Sequence, residues 1–498
     1  MLLPVDLREW LAEDDLVWHV LDVVDQLDLA EFYARYRVNG QGAAAYDPAM
    51  MLALTVYAHA VGVASSRAIE RACTRDAGFK VVTGLLTPDH STIARFVKTH
   101  QDAVRGLFAQ VLRLCHQAGM VRLGVIAIDG TKIAANASWS KSYTADALAH
   151  QVAEEQAMFD ALAAQLIGQQ VAADEAEDGE HGPDGGGRDD DLPPGLRRRA
   201  ERLERIKKAK AQLDARDTAA RQQMLDRQGA KQAEYDAAVA AGDRPRGPRP
   251  KDEVAYGPPR RRRKDGTIAD PPAPRASIID PDSRRMKAKH GYLQGYNAQI
   301  ATTQDQIILA ARVSQNPTDH HELPDVLDDV RANLTAAGIT PTDRADAQVP
   351  PEQTDAQVEQ ELSLLADRDD ELAVVLADAG YANEDTFKAV EDADLRLLAP
   401  LASDEKLQQG ADPAGDQDPS HRPATARGQH RLRTPTGKAL YKIRGRSVEP
   451  TFGQLKDRRG LRQFTTRGLD HVTTEFTLGC TIHNILKLIT RHMTPATA

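Results

Sequence analysis

The chain has 498 residues, 41% of them hydrophobic, which is enough to fill more than one core. Its 73 acids outnumber 63 bases for a net charge of −10, and three widely spaced cysteines argue against a disulfide framework or a zinc knuckle. No apolar run reaches the roughly 18 residues of a membrane span, and the start, MLLPVDLREWLAEDD, lacks the basic and apolar regions of a signal peptide, so a cytoplasmic protein without a membrane partner is expected.

Residues 1–120 read as helical. Leu16, Val20, Val23, Val24 and Leu27 keep helical spacing, as do Met51, Leu54, Val56 and Tyr57 after Pro48. A helix with Arg67, Arg71 and Arg75, then a turn and a helix with Arg95 and Lys98, could dock on DNA as a helix-turn-helix; a plain bundle with surface arginines is the competing reading. Pro88-Asp89-His90-Ser91 offers a cap for the second helix. At Leu123 the texture changes to LGVIAIDGTKI, a short β-branched run expected for a buried strand.

Residues 145–275 read as a charged helical insert after this strand. An Ala-rich helix, an acidic Gly/Pro stretch and a second charged helix suggest an antiparallel hairpin or a partner-binding arm. GYNAQIATT and QIILAARVSQ read as a hairpin, HELPDVLDDVRANL as a helix, AVVLADAGY as a buried strand, NEDTFKAVEDA as a helix and LRLLAPLA as a strand. Residues 403–435 are polar and are expected to be disordered. From Tyr441 to about Met493 two helices are expected, with a turn near Gly468. Without the insert, the order suits an α/β domain with a mixed five-stranded sheet and flanking helices, the order of the RNase H-like fold.

Charge is unevenly spread. From His421 to Arg467 there are 13 Lys or Arg against Glu449 and Asp457, a local excess of about +11. Basic runs also occupy Arg197–Lys210 and Arg260–Lys264. Such surfaces suit phosphate backbones despite the negative total. Asp129 in IAIDG and Asp378 in VLADAG each end a predicted strand, and parallel strands side by side would bring both to one sheet edge. Two carboxylates held together need a cation between them, and Mg²⁺ suits oxygen ligands. Asp280 and Asp282 are alternative ligands, though Pro281 between them suits a loop. Glu449 stands before Pro450, a residue favoured at the first helical position, with Lys456 on a neighbouring face. A carboxylate for metal beside an ammonium for phosphate suits phosphoryl transfer on DNA.

On these motifs the chain resembles the bacterial insertion-sequence DDE transposases, in the group with a helical N-terminal domain and a Tyr-x2-Arg-x3-Glu-x6-Lys signature. Tyr441, Arg444, Glu449 and Lys456 follow that pattern, except that Arg444 to Glu449 is one residue too long, so Arg446 is an alternative to Arg444. IDGTKI, LADAGY and DPDSRRMKAKHGYLQGYNAQIA are similar to the family's other motifs, and the resemblance covers most of the chain outside residues 145–275 and 403–435. It implies residues 1–120 as a DNA-end-binding domain, and residues 121–144 with 276–498 as an RNase H-like catalytic domain. It further implies Asp129, Asp378 and Glu449 as catalytic metal ligands for two Mg²⁺ ions, with Mn²⁺ a possible substitute. Tyr441, Arg444 or Arg446, and Lys456 would contact DNA. The implied partners are transposon terminal inverted repeats and target double-stranded DNA, held by a homodimer and associated with the nucleoid when bound. The alternatives are a catalytically degenerate DNA-binding relative and a nuclease of the same fold that cuts without strand transfer.

Overall fold

The structure, a computed structural model, describes residues 6–36, 45–177, 194–242, 249, 261–262, 268–269, 273–288, 291–340, 354–401 and 423–493. Its contacts define two units. One comprises Met1–Ala135, Met286–Gly291 and Gly295–Ala498; the other comprises Asn136–Arg285 and Tyr292–Gln294.

The first unit opens with helices α1 (Leu16–Asp25), α2 (Ala30–Tyr33), α3 (Pro48–Ala60), α4 (Ser66–Arg75), α5 (Ala77–Val82), α6 (His90–Thr99) and α7 (Gln101–Gln117). Carboxylates start several of them. Asp15 accepts from the Val17 amide, Asp47 from Met50, and Asp89 from Ser91 and Thr92, each satisfying donors that a first turn leaves free. α3 is buried from Met51 to Ala58. α4 buries only Ile69 and Cys73, leaving Arg67, Arg71 and Arg75 exposed. Between α4 and α6 lies α5, in place of the plain turn that the sequence predicts. His90 Nδ1 at the head of α6 stands 3.0 Å from Glu70 of α4.

The sheet of this unit begins with β1 (Val125–Ala134). The second unit supplies β2 (Ser142–Tyr143), helices α8 (Ala145–Glu177) and α9 (Pro194–Ala240), and the short strands β3 (Arg261–Arg262), β4 (Ile268–Ala269) and β5 (Ala276–Ser277). α8 and α9 pair antiparallel. Leu148 shares a core with Ile206, Ala209 and Leu213, and the buried Glu155 is met by Arg199 at 3.0 Å and Arg202 at 3.3 Å. The acidic Gly/Pro stretch, 178–193, lies outside the described residues.

The chain continues through β6 (Arg284–Ala288), β7 (Gly291–Thr303), β8 (Ile308–Ser314), α10 (Glu322–Ala336), α11 (Asp355–Ala366), β9 (Val374–Leu376), α12 (Glu384–Asp392) and β10 (Arg396–Leu398). It closes with α13 (Pro423–Arg433), α14 (Pro435–Gly453) and α15 (Leu469–Met493). The main sheet is ordered β10-β9-β1-β7-β6, with β8 also on β7. β10, β9 and β1 are parallel; β7 is antiparallel to β1 and β8. Six strands, not five, form this mixed sheet. The addition is β6, where buried Arg284 and Met286 alternate with exposed Arg285 and Lys287; three charges in five residues hide the alternation of a strand.

One apolar core joins the N-terminal helices to the sheet. It includes Val111 and Leu112 of α7, Ile126 and Ile128 of β1, Leu309 of β8, Val375 of β9, and Ile482 and Ile485 of α15. Asn484 of α15 fastens the sheet from the side, its amide both accepting from Ile308 N at 2.9 Å and donating to Ile308 O at 2.8 Å. Part of the segment expected to be disordered is helical: residues 423–435 form α13 and the start of α14, while 402–422 lie outside the described residues. Gly428 lets α13 sit close against Phe387 of α12, and its arginines find acids: Arg427 and Arg431 both pair with Glu391. Among the described residues no helix is long and apolar enough to cross a membrane.

Candidate active site

β1 and β9 run side by side with Val125, Ile126 and Ala127 opposite Val374, Val375 and Leu376. Each carries an aspartate two residues past the last pair: Asp129 on one, Asp378 on the other. Asp378 stands in the turn after β9, as expected. Asp129 does not end its strand, because β7 continues beside β1 as far as Ala134 and keeps the later backbone groups paired. Small neighbours serve both acids, with the Gly130 and Gly380 amides each donating to the aspartate Oδ1 at 2.8 Å.

Glu449 arrives on α14. This helix does not begin at Pro450 as the sequence suggested; it begins at Pro435 and Pro450 lies inside it. Proline has no N–H for the carbonyl four residues back, here Arg446. Gln306 Nε2, from the β7–β8 turn, donates to that oxygen at 3.0 Å, so the helix continues past the proline. Beyond Gly453 the coil widens into a π-helical turn, Gln454–Arg458, which carries Lys456.

These elements bring four of the sequence-identified residues together. Arg444 Nη2 donates to Asp129 Oδ2 at 2.8 Å, and its Nη1 stands 3.5 Å from Glu449 Oε1. The Asp129 side chain is 15% exposed and that of Glu449 60%, so one guanidinium joins a recessed carboxylate to one facing water. Burial pushes the Asp129 carboxyl up to about 6; Arg444 opposes this, and Asp378 and Asp319 reinforce it. For Arg444, burial works against the charge, but Asp129, Tyr441, Asp378 and Glu449 outweigh it and raise the guanidinium above its ordinary value. Lys456 Nζ donates to Thr131 Oγ1, on the same face of β1 as Asp129. Burial, with help from Arg462, lowers this ammonium from the ordinary lysine value.

Tyr441 lies one turn before Arg444 on α14, near enough for its phenol to act on the guanidinium. Arg446 is placed differently: its side chain is exposed and its carbonyl is the one Gln306 holds. Arg95 and Lys98 stand exposed on α6. Of the alternative acids, Asp282 belongs to the second unit, where Lys208 and Gln212 of α9 engage it, and the Asp280 carbonyl accepts from Ser283.

The opposite face of β1 carries a polar group that sequence reasoning missed. One oxygen of Asp319 accepts from Lys132 at 2.9 Å, Asn297 at 2.8 Å and Gln299 at 2.7 Å. Gln299 in turn accepts from the buried Tyr381 hydroxyl, three residues past Asp378. Burial pushes that phenol well above its ordinary value, with Asp319, Asp129 and Asp378 adding to the effect. The chain Asp319–Gln299–Tyr381 thus ties the Asp378 turn to the strands beside Asp129. Asn297 and Gln299 had a signal, two amides at strand spacing in an otherwise buried run; Asp319, in a loop among polar residues, had none.

The donors this cluster offers to a cation are carboxylate oxygens, the ligands that hard divalent ions take. Among the described residues no three acidic, His or Cys side chains yet converge as a chelate. Asp129 and Glu449 are held through Arg444 instead. The repulsion from Asp378 that helps raise Asp129 is what a bound cation would relieve, so the residues fit one.

Two family models match the chain. Residues 5–99 match the one described as Transposase domain (DUF772), and residues 265–485 match the one described as Transposase DDE domain. No curated protein and no solved structure matches.

Proposed function

The chain belongs to the insertion-sequence DDE transposases, and from that premise we propose that it cuts DNA at the ends of its own element and joins those ends to target DNA. The observation that carries this reading is the meeting of Asp129, Arg444 and Glu449, drawn from regions more than 300 residues apart, beside the turn of Asp378. We read the mixed sheet with its two parallel followers as an RNase H-like core.

Asp129 and Asp378, with Glu449, would hold Mg²⁺, for which Mn²⁺ could substitute. Bound at these oxygens, the metal supplies an activated water for cleavage and stabilises the departing oxygen. The residues of the chain do the rest. Arg444 neutralises Asp129 and Glu449 while DNA is away, and its five donors suit a phosphate once DNA arrives. Lys456, anchored on Thr131, offers a second cation on the same face of β1. Tyr441 lies one turn from Arg444, where a distorted DNA end can stack on its ring or bond its hydroxyl. The exposed cations of α4 and α6, Arg95 and Lys98 among them, would grip the terminal repeats, and synapsis of two ends calls for a homodimer on DNA.

The test is Mg²⁺-dependent cleavage of DNA bearing the element's ends, by the native protein and by Glu449→Gln. Cleavage is expected to fall by at least a hundredfold in the variant while end binding persists. Equal cleavage by both would remove Glu449 from the site. Binding without cleavage by the native protein would favour a DNA-gripping relative that has lost catalysis. Cleavage without joining of a pre-cut end to target would favour a nuclease.

A further inference from the structure

The second unit carries an exposed feature that the cleavage chemistry does not use. Trp139 opens a short 3-10 turn, Trp139–Lys141, and is 45% exposed; Tyr292 is 59% exposed. Between them lies Arg285, its guanidinium carbon 4.7 Å from the Trp139 ring centre and 4.2 Å from that of Tyr292. In a chain with only 5% aromatic residues, two half-open rings stacked on one cation call for a purpose.

The ground beneath is firm. β2 pairs with β5, Ser142 meets Gln294 at 3.4 Å, and Gln294 donates to Ser283 at 2.9 Å. Arg284, buried next to Arg285, donates to the carbonyls of Pro281 at 2.7 Å, Asp282 at 2.9 Å and Ser283 at 3.0 Å. Buried polar bonds thus fix the backbone from which the exposed rings and cation project, and little order remains to be imposed on binding. Arg285 covers one face of each ring, which leaves the remaining exposure on the other faces and rims. Residues 139–143, 284–285 and 292–294 contain no acid, and Lys141 is exposed with Arg285.

We propose that Trp139, Arg285 and Tyr292 form a stacking platform for an unpaired nucleobase, with Lys141 holding a flanking phosphate. A flat, cation-backed ring favours another π-face, and basic surroundings favour an anionic chain. Paired bases keep their faces inside the helical stack, so the platform selects single-stranded or locally opened DNA over intact duplex. This inference rests on the reading of the chain as a DNA enzyme, but not on its cutting activity.

The experiment measures binding of the full chain, in EDTA so that nothing is cut, to a fluorescent 12-nucleotide oligothymidylate and to a 12-base-pair duplex. Trp139→Ala and Tyr292→Ala are each expected to weaken single-strand binding about tenfold, with duplex binding within twofold of native. Trp139→Phe, which keeps a flat ring, is expected to recover most of the loss. In a protein with Trp10→Phe and Trp18→Phe, the remaining Trp139 emission is expected to be quenched by the oligothymidylate and not by the duplex. That readout does not depend on whether the alanine variants fold. Unchanged single-strand binding in folded variants, an equal loss toward both DNAs, or no selective quenching would overturn the platform. A protein that never cuts yet shows selective quenching would retain the platform and lose the transposase reaction.

Discussion

Arg444 decides how the acids of the site can lie together. Without it, recessed Asp129 would face Asp378 and Asp319 with no cation bonded to its carboxylate, and exposed Glu449 would lose its link to Asp129. Arg444→Ala is therefore expected to lower Mg²⁺-dependent cleavage of end DNA by a hundredfold or more, with Arg446→Ala within about threefold of native. Equal effects would mean that the two arginines share the role. At this scale the sequence is informative where chemistry breaks an apolar run. Asp129 and Asp378 stand out because each follows a buried β-branched stretch, and Glu449 because it is nearly alone among cations. Only the fold separates Arg444 from Arg446. They are two residues apart on a helix, about 200° around its axis, so only one can face β1. Asp319 was illegible because its three donors come from strands that meet only in the fold.

Among the elements, periodicity served best where burial was one-sided. Helices α10 and α12 lie where the spacing of apolar residues puts them. α13 escaped because its helix-forming stripe is polar, and its packing depends on the absence of a side chain at Gly428. A Cβ there would meet the Phe387 ring, with Cζ at 3.0 Å and two ring carbons closer still. Gly428→Val is expected to destabilise the fold by about 1–3 kcal/mol, read from the urea unfolding midpoint. An unchanged midpoint would mean that α13 does not dock on α12. The position of Pro450 was misread for a related reason. Local rules place proline at a helix start, and the bond that lets it stay inside α14 comes from Gln306, far away in sequence.

Across the molecule, the core shared by α7, the sheet and α15 makes the N-terminal helices part of the first unit's stability, although sequence texture changes sharply at Leu123. His483 reports on that core. It is 1% exposed, and its Nε2 donates to the Gln306 carbonyl at 2.8 Å. Burial lowers its imidazole from 6.5 to about 4, with Lys487 and Arg459 adding to the effect and the bond to Gln306 opposing it. The unfolded chain therefore takes up this proton before the folded one does. The associated stability is present above about pH 6.5 and fades as pH falls toward 4. Between pH 7 and pH 5 the loss is about 2 kcal/mol. Urea unfolding at the two pH values should show this loss, and His483→Gln should diminish it; an equal loss in both proteins would assign the effect to other groups. The same turn has a wider consequence. Gln306 adopts φ +66, a backbone conformation that glycine would take with less strain. Its side chain nevertheless grips the Arg446 carbonyl and the Lys487 ammonium. Hairpin turns are commonly the most interchangeable parts of a sheet, but this one is not a spare part. Exchanging it for a glycine-bearing turn would ease the hairpin and unfasten the helix that presents Glu449, so improvement by the standards of the strand is damage by the standards of the enzyme.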